Sequence, residues 1–164
     1  MKKSTIVLIA ATVVCLGLSV VSAKASVSRT IHAISEIGEV TYTDECKERI
    51  DRAVSYYNDL DKNLKLQDQI TNDDEFETDK IEYARLAIKA AKVADDRKEA
   101  EGYSSADVQK YVTDAREVLE SYLTEDQYSL VENYADLTAL ESEYSSNGGS
   151  GSASDSEEVS IPMC

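Results

Sequence analysis

No proline falls between residues 26 and 161 of this 164-residue chain, and its single proline is Pro162. So long a stretch without the residue that breaks helices favours long helices. The apolar residues agree. Cys46, Ile50, Ala53, Tyr57, Leu60 and Leu64 step by 4, 3, 4, 3 and 4, which places them on one helix face turned toward neighbours.

The rest of the chain reads the same way. Residues 28–37 predict a short helix with Ile31, Ile34 and Ile37 on one face and Gly38 as its stop. Thr43 reads as the N-cap of the next helix, with Asp44 and Glu45 in its first turn. Residues 67–77 break the pattern and read as a loop with room for one helical turn. Thr78 reads as the cap of a third helix running to about Glu101, ended by Gly102. Ile81, Ala84, Ile88 and Ala91 line one face of it. Leu86, Ala87, Ala90, Val93 and Ala94 widen that face, so packing on two sides is expected. Ser104 with Asp107 forms a capping box that uses Asp in place of Glu, ahead of Val108, Tyr111, Ala115, Val118 and Tyr122. Thr124 with Gln127 forms a second box. Leu130, Val131, Tyr134, Leu137, Leu140 and Tyr144 follow it, with Asn133 or Thr138 as places where the stretch divides. Period-two alternation is confined to residues 39–43. The expected fold is all-α, a small antiparallel bundle of four to six helices spanning residues 26–144.

The amino terminus carries a different signal. Lys2 and Lys3 precede an apolar run from Ile6 to Val21, followed by Ser22-Ala23-Lys24-Ala25. A charged start, an apolar stretch and small residues at a cut site make an export signal, here residues 1–25. The sixteen-residue run is shorter than the ~20 residues that cross a bilayer comfortably, which weighs against its rival, an uncleaved anchor. Lipid attachment at Cys15 would need Leu and small residues just before it, and the chain has Thr12-Val13-Val14. The expected location is therefore secreted or extracytoplasmic, with cell-surface association open. Residues 145–164, rich in Ser, Gly and acid, read as a flexible tail with too little apolar surface to order itself.

Charge excludes some partners. The leader holds three lysines and no acid, so its removal takes the net charge from −15 to −18. Such a chain repels nucleic acid and anionic lipid, so neither nucleic acid nor, once the leader is cut, a membrane is expected as a partner. Electrostatics favour a basic one. The chain has ten tyrosines, one phenylalanine and no tryptophan. Tyrosine suits a thin bundle, where the ring packs inward and the hydroxyl reaches water, and it suits binding surfaces equally.

Two stretches resemble short helical modules of exported surface proteins of Gram-positive, mainly clostridial, bacteria. One is residues 34–60, with Ile37-Gly38-Glu39-Val40-Thr41 and Ile50-Asp51-Arg52-Ala53. The other is residues 115–144, with Leu123-Thr124-Glu125-Asp126-Gln127 and Asn133-Tyr134-Ala135-Asp136-Leu137. Together they cover about half the mature chain. Residues 61–110 depart from the single module and read as an inserted hairpin or a degenerate second copy. The resemblance implies a spacer, stalk or contact module and brings no catalytic residues with it.

Residue groupings with catalytic or metal-binding chemistry are few and scattered. His32, the only histidine, stands off the isoleucine stripe and reads as a surface or cap residue. A metal site wants several ligands, and nucleophilic catalysis would have this one base. No catalytic or cofactor-binding residue is assigned, and no cofactor. Asp73, Asp74, Glu75, Glu77 and Asp79 make the densest acidic patch, a weak metal candidate without the spacing or central glycine of a calcium loop. Cys46 and Cys164 survive export. They could pair, cross-link molecules or stay apart, although Cys46 on the apolar stripe reads as a buried thiol. The expected function is a non-catalytic secreted or surface helical interaction or spacer module. Its partner would be another protein, a cell-wall component or a second copy. The alternative is weak cation or solute binding at the acidic segment 72–79.

Overall fold

The computed structural model describes residues 23–146, apart from residue 61. The cut site therefore sits at its edge, and residues 1–22 and 147–164, with Cys15 and Cys164, lie outside the described residues. Within them the chain is all-helical, with no strand. Helix α1 covers residues 23–35. Asp44–Asn58 form α2, Asp73–Asp96 form α3, Lys98–Glu101 form the single turn α4, Ser105–Tyr122 form α5 and Tyr134–Ser146 form α6. Short 3-10 turns at Lys62–Leu64, Gln67–Gln69 and Glu125–Leu130 fill the longer connections.

Capping decides most of the boundaries. Thr43 accepts the Cys46 amide at 3.3 Å and opens α2. Ser104 and Asp107 close their reciprocal box at the start of α5. Thr124 and Gln127 do the same, but the helix they open is of the 3-10 type and ends at Leu130. Gly38 and Gly102 have φ of +64° and +74°, the left-handed conformation that stops a helix and that glycine adopts without strain.

Several expectations are corrected here. α1 starts before residue 28 and ends at 35; its buried side runs through Val27, Thr30, Ala33 and Ile34, continued by Ile37 in the turn after it, with Ile31 only partly covered. α2 ends at Asn58, so Leu64 falls off the stripe and is 58% exposed. α3 begins at Asp73, not after Thr78. Thr78 lies within the helix and donates to the Asp74 carbonyl at 2.8 Å. The residue before α3, Asn72, makes no side-chain cap. Its Nδ2 instead donates to the Ile31 carbonyl at 3.2 Å and to Ser35 Oγ at 3.3 Å. The start of α3 is thereby tied to α1 at a carbonyl that also accepts the Ser35 hydroxyl at 3.0 Å. The third helix also breaks at Arg97 before α4. Leu130 is 60% exposed, and of the two break points named for the closing stretch the chain divides before Tyr134, leaving Thr138 inside α6. α6 reaches Ser146, two residues into the segment expected as tail.

Cross-helix contacts give the directions. Thr30 meets Tyr56, and Glu36, just past α1, meets Arg52, so α1 and α2 run antiparallel. Tyr57 packs on Phe76, while Tyr83 packs on Tyr42, just before α2. α2 and α3 are therefore antiparallel too. Asn133 reaches the Arg85 carbonyl and Tyr144 reaches Asp95, so α6 runs along α3 in the same direction. α3 packs on both α5 and α6. Its buried Ala84, Ala87, Ala91 and Ala94 are small enough to allow close approach of neighbouring helices, and Ile88 is buried among them. Phe76, Ile34, Ile37, Ile50, Ile88, Leu119 and Leu137 are under 2% exposed. Each such burial contributes roughly 1.5–3 kcal/mol against chain entropy.

Candidate functional site

The residues that flank the packed stripe of α5 form a cleft. Tyr111, Asp114, Glu117, Val118 and Ser121 line one wall, Tyr42 just before α2 with Asp44 and Lys47 in its first turn line the other, and the buried Tyr83 and Tyr122 form the floor. The cleft holds about 390 Å³. A second hollow of about 380 Å³ adjoins it, shares Tyr111 and Asp114, and adds Tyr103, Asp107 and Lys110. The Asp107–Glu117 segment that runs along both is about 15 Å long at 1.5 Å per residue.

The rings make a graded set. Tyr83 and Tyr122 are 3% and 6% exposed, and Tyr42 at the mouth is 36% exposed. Tyr42 sits 5.6 Å from Tyr83, and Tyr83 sits 5.9 Å from Tyr122 edge to face. Tyr103 and Tyr111 meet at 6.2 Å in the outer hollow. Burial raises the phenol of Tyr42 above its usual range, and Asp114, Tyr111 and Asp44 add to the rise. Burial raises Tyr83 as well, and raises Tyr122 together with its 2.6 Å hydrogen bond to Asp51. These phenols are neutral at physiological pH. They offer electron-rich ring faces and hydroxyl donors rather than charge.

One cation is already seated here. The Lys47 ammonium lies 5.9 Å from the centre of the Tyr122 ring and 2.9 Å from Asp51. Among the described residues no ion pair joins Asp44, Asp114 or Glu117 to a lysine or arginine.

The residues singled out from the sequence lie elsewhere. His32 is exposed on α1, 3.6 Å from Glu36. Asp73, Asp74, Glu75, Glu77 and Asp79 occupy the first turns of α3 rather than a loop. At about 100° per residue the helix groups Asp73 with Glu77, and Glu75 with Asp79, on different sides, leaving Asp74 between. Glu77 is engaged by the buried Lys80 and by Gln127. Tyr57 is pushed up to about 12 by burial and then by its hydrogen bond to Asp73. Asp79 is lifted to about 6 by burial and then by Glu75. Among the described residues no three His, Cys, Asp or Glu side chains are placed to hold one metal ion. Cys46 is fully enclosed in the core.

The cleft is not evident from the sequence. Helical spacing puts Tyr111 and Tyr122 on one packed stripe, whereas Tyr111 is only partly covered and faces the cleft. The legible trace was the row Asp107, Tyr111, Asp114 and Val118, which steps by 4, 3 and 4 beside the buried row Val108, Val112, Ala115 and Leu119.

Compared with protein-family models, curated proteins and solved structures, the chain matches none. Among the described residues no helix is long and apolar enough to cross a membrane.

Proposed function

We propose that this chain is a non-catalytic helical interaction module, exported to the cell exterior or surface, and that the tyrosine-lined cleft is its contact face. The observation that carries the reading is the cleft itself. Its phenol rings are held by a rigid helical frame, with two of them partly open and carboxylates around the mouth. Tyrosine gives large contact area at low entropic cost, because only two side-chain torsions need fixing. The leader and the resemblance to surface modules support export and a contact or spacer role.

The test has two parts. The full chain is expressed in a Gram-positive host, and the product outside the cell is sequenced from its amino terminus, with Ser26 the expected first residue. A photoreactive phenylalanine analogue is then placed at Tyr42, and in a separate protein at Glu99 on α4. A discrete cross-linked adduct at the cell surface from position 42, absent from position 99, is expected. Full-length protein kept in the cytosol overturns export. Lack of any adduct from the cleft overturns the contact role.

A further inference from the structure

We infer that the cleft takes the lysine or arginine side chains of an extended basic peptide segment on a partner protein; this rests on the contact-face reading above and names its chemistry. An aromatic face attracts a cation because its quadrupole is negative, and a nearby carboxylate adds charge attraction. The chain displays that pairing within itself, where Lys47 sits between the Tyr122 ring and Asp51. At the open end the same ingredients stand ready: Tyr42 and Tyr111 supply ring faces, and Asp44, Asp114 and Glu117 supply charge. Those three carboxylates are not ion-paired to any lysine or arginine among the described residues. Lys110 in the outer hollow opposes them only in part, since Asp107 and Asp114 flank it.

Shape favours a segment over a single amine. Two adjoining hollows follow about 15 Å of α5, the length of four or five residues of extended chain at about 3.3 Å each. Other occupants fit poorly. A second copy and the chain's own acidic tail carry the same sign of charge. A hard divalent ion wants six or more oxygens, and ring faces line much of this space.

The experiment titrates the full secreted chain against fluorescein-labelled Gly-Lys-Gly-Lys-Gly-Lys-Gly-Lys by anisotropy, beside the same peptide with acetylated lysines. The D114N/E117Q pair is compared with D136N/E143Q, which removes the same charge from the exposed surface of α6. Y111L tests the ring, with circular dichroism checking the fold. The lysine peptide binds and the acetylated one does not. D114N/E117Q weakens binding about tenfold, Y111L about threefold to fivefold, and D136N/E143Q less than twofold. The inference is overturned if the parent does not bind, if the acetylated peptide binds equally, or if both charge pairs weaken binding alike. It is overturned too if lysine amide alone binds as tightly as the peptide. A Tyr42 adduct at the cell surface without lysine-peptide binding sinks the cationic ligand and leaves the contact role standing. Absence of that adduct sinks the contact role itself.

Discussion

Arg116 is the clasp between α5 and α6, and its removal gives a measurable test of how this bundle is held. Its Nε and Nη2 each lie 2.6 Å from one oxygen of Glu141. The guanidinium also lies 5.8 Å from the Tyr128 ring centre and 5.6 Å from that of Tyr134. The two charged side chains are 25% and 28% exposed, between the surface pairs worth ~0–1 kcal/mol and the buried ones whose breakage costs ~3–5 kcal/mol. The forked pair therefore contributes about 1.5–2 kcal/mol, and the two rings add about 0.5 kcal/mol each. Arg116→Met keeps the apolar stem and loses both, a cost of about 2–3 kcal/mol. Glu141→Gln leaves the rings in contact and costs about 1–1.5 kcal/mol. The double variant reveals a coupling of about 1 kcal/mol or more. Urea unfolding followed at 222 nm is the assay. With a slope near ~1.5 kcal/mol per molar, the Arg116→Met midpoint falls by about 1.5 M while the slope stays constant. Arg116→Lys keeps the charge without the fork and falls between Met and the parent. A loss under about 0.5 kcal/mol for Arg116→Met, or a coupling within error of zero, refutes the clasp.

Three further outcomes follow from particular residues. Asp79 has a folded value of about 6 against its ordinary 3.8, so its contribution to stability is full below pH 3.8 and is lost as pH rises through 6. Asp79→Asn therefore stabilises the fold by about 1 kcal/mol above pH 7, after discounting for remaining solvent contact, and the gain fades toward pH 4. A pH-independent difference between the two urea curves would contradict this. Gly102→Ala meets no atom within 4 Å, so its cost of about 1 kcal/mol comes from the left-handed backbone alone, and Gly102→Asn costs less. Equal midpoints for all three proteins would refute that account. The Cys46 thiol, enclosed at 0% exposure, resists iodoacetamide in the native protein and reacts in urea; rapid native alkylation at Cys46, mapped by mass spectrometry, would show that the core opens readily.

Local rules made much of the fold legible in advance. A cap and its partner lie three residues apart, so Thr43, Ser104 with Asp107, and Thr124 with Gln127 marked helix starts without any knowledge of the rest of the chain. Gly38 and Gly102 marked stops for a backbone reason equally local. The step of three and four residues placed Cys46, Ile50 and Ala53 in the core, since a helix turns at a constant rate whatever it packs against. Tertiary contact decided the remainder. Asn72 falls in a stretch that reads as loop, and it ties the start of α3 to the Ile31 carbonyl and Ser35 of α1. Leu64 continued the α2 stripe on paper but lies beyond the end of that helix. The cleft belongs mostly to this second kind of information, since the sequence shows only its α5 row. Tyr42, Tyr83 and the α5 pair Tyr111 and Tyr122 come from three separate parts of the chain, and only the packing of α2, α3 and α5 brings their rings and the carboxylates of Asp44 and Asp114 to one opening.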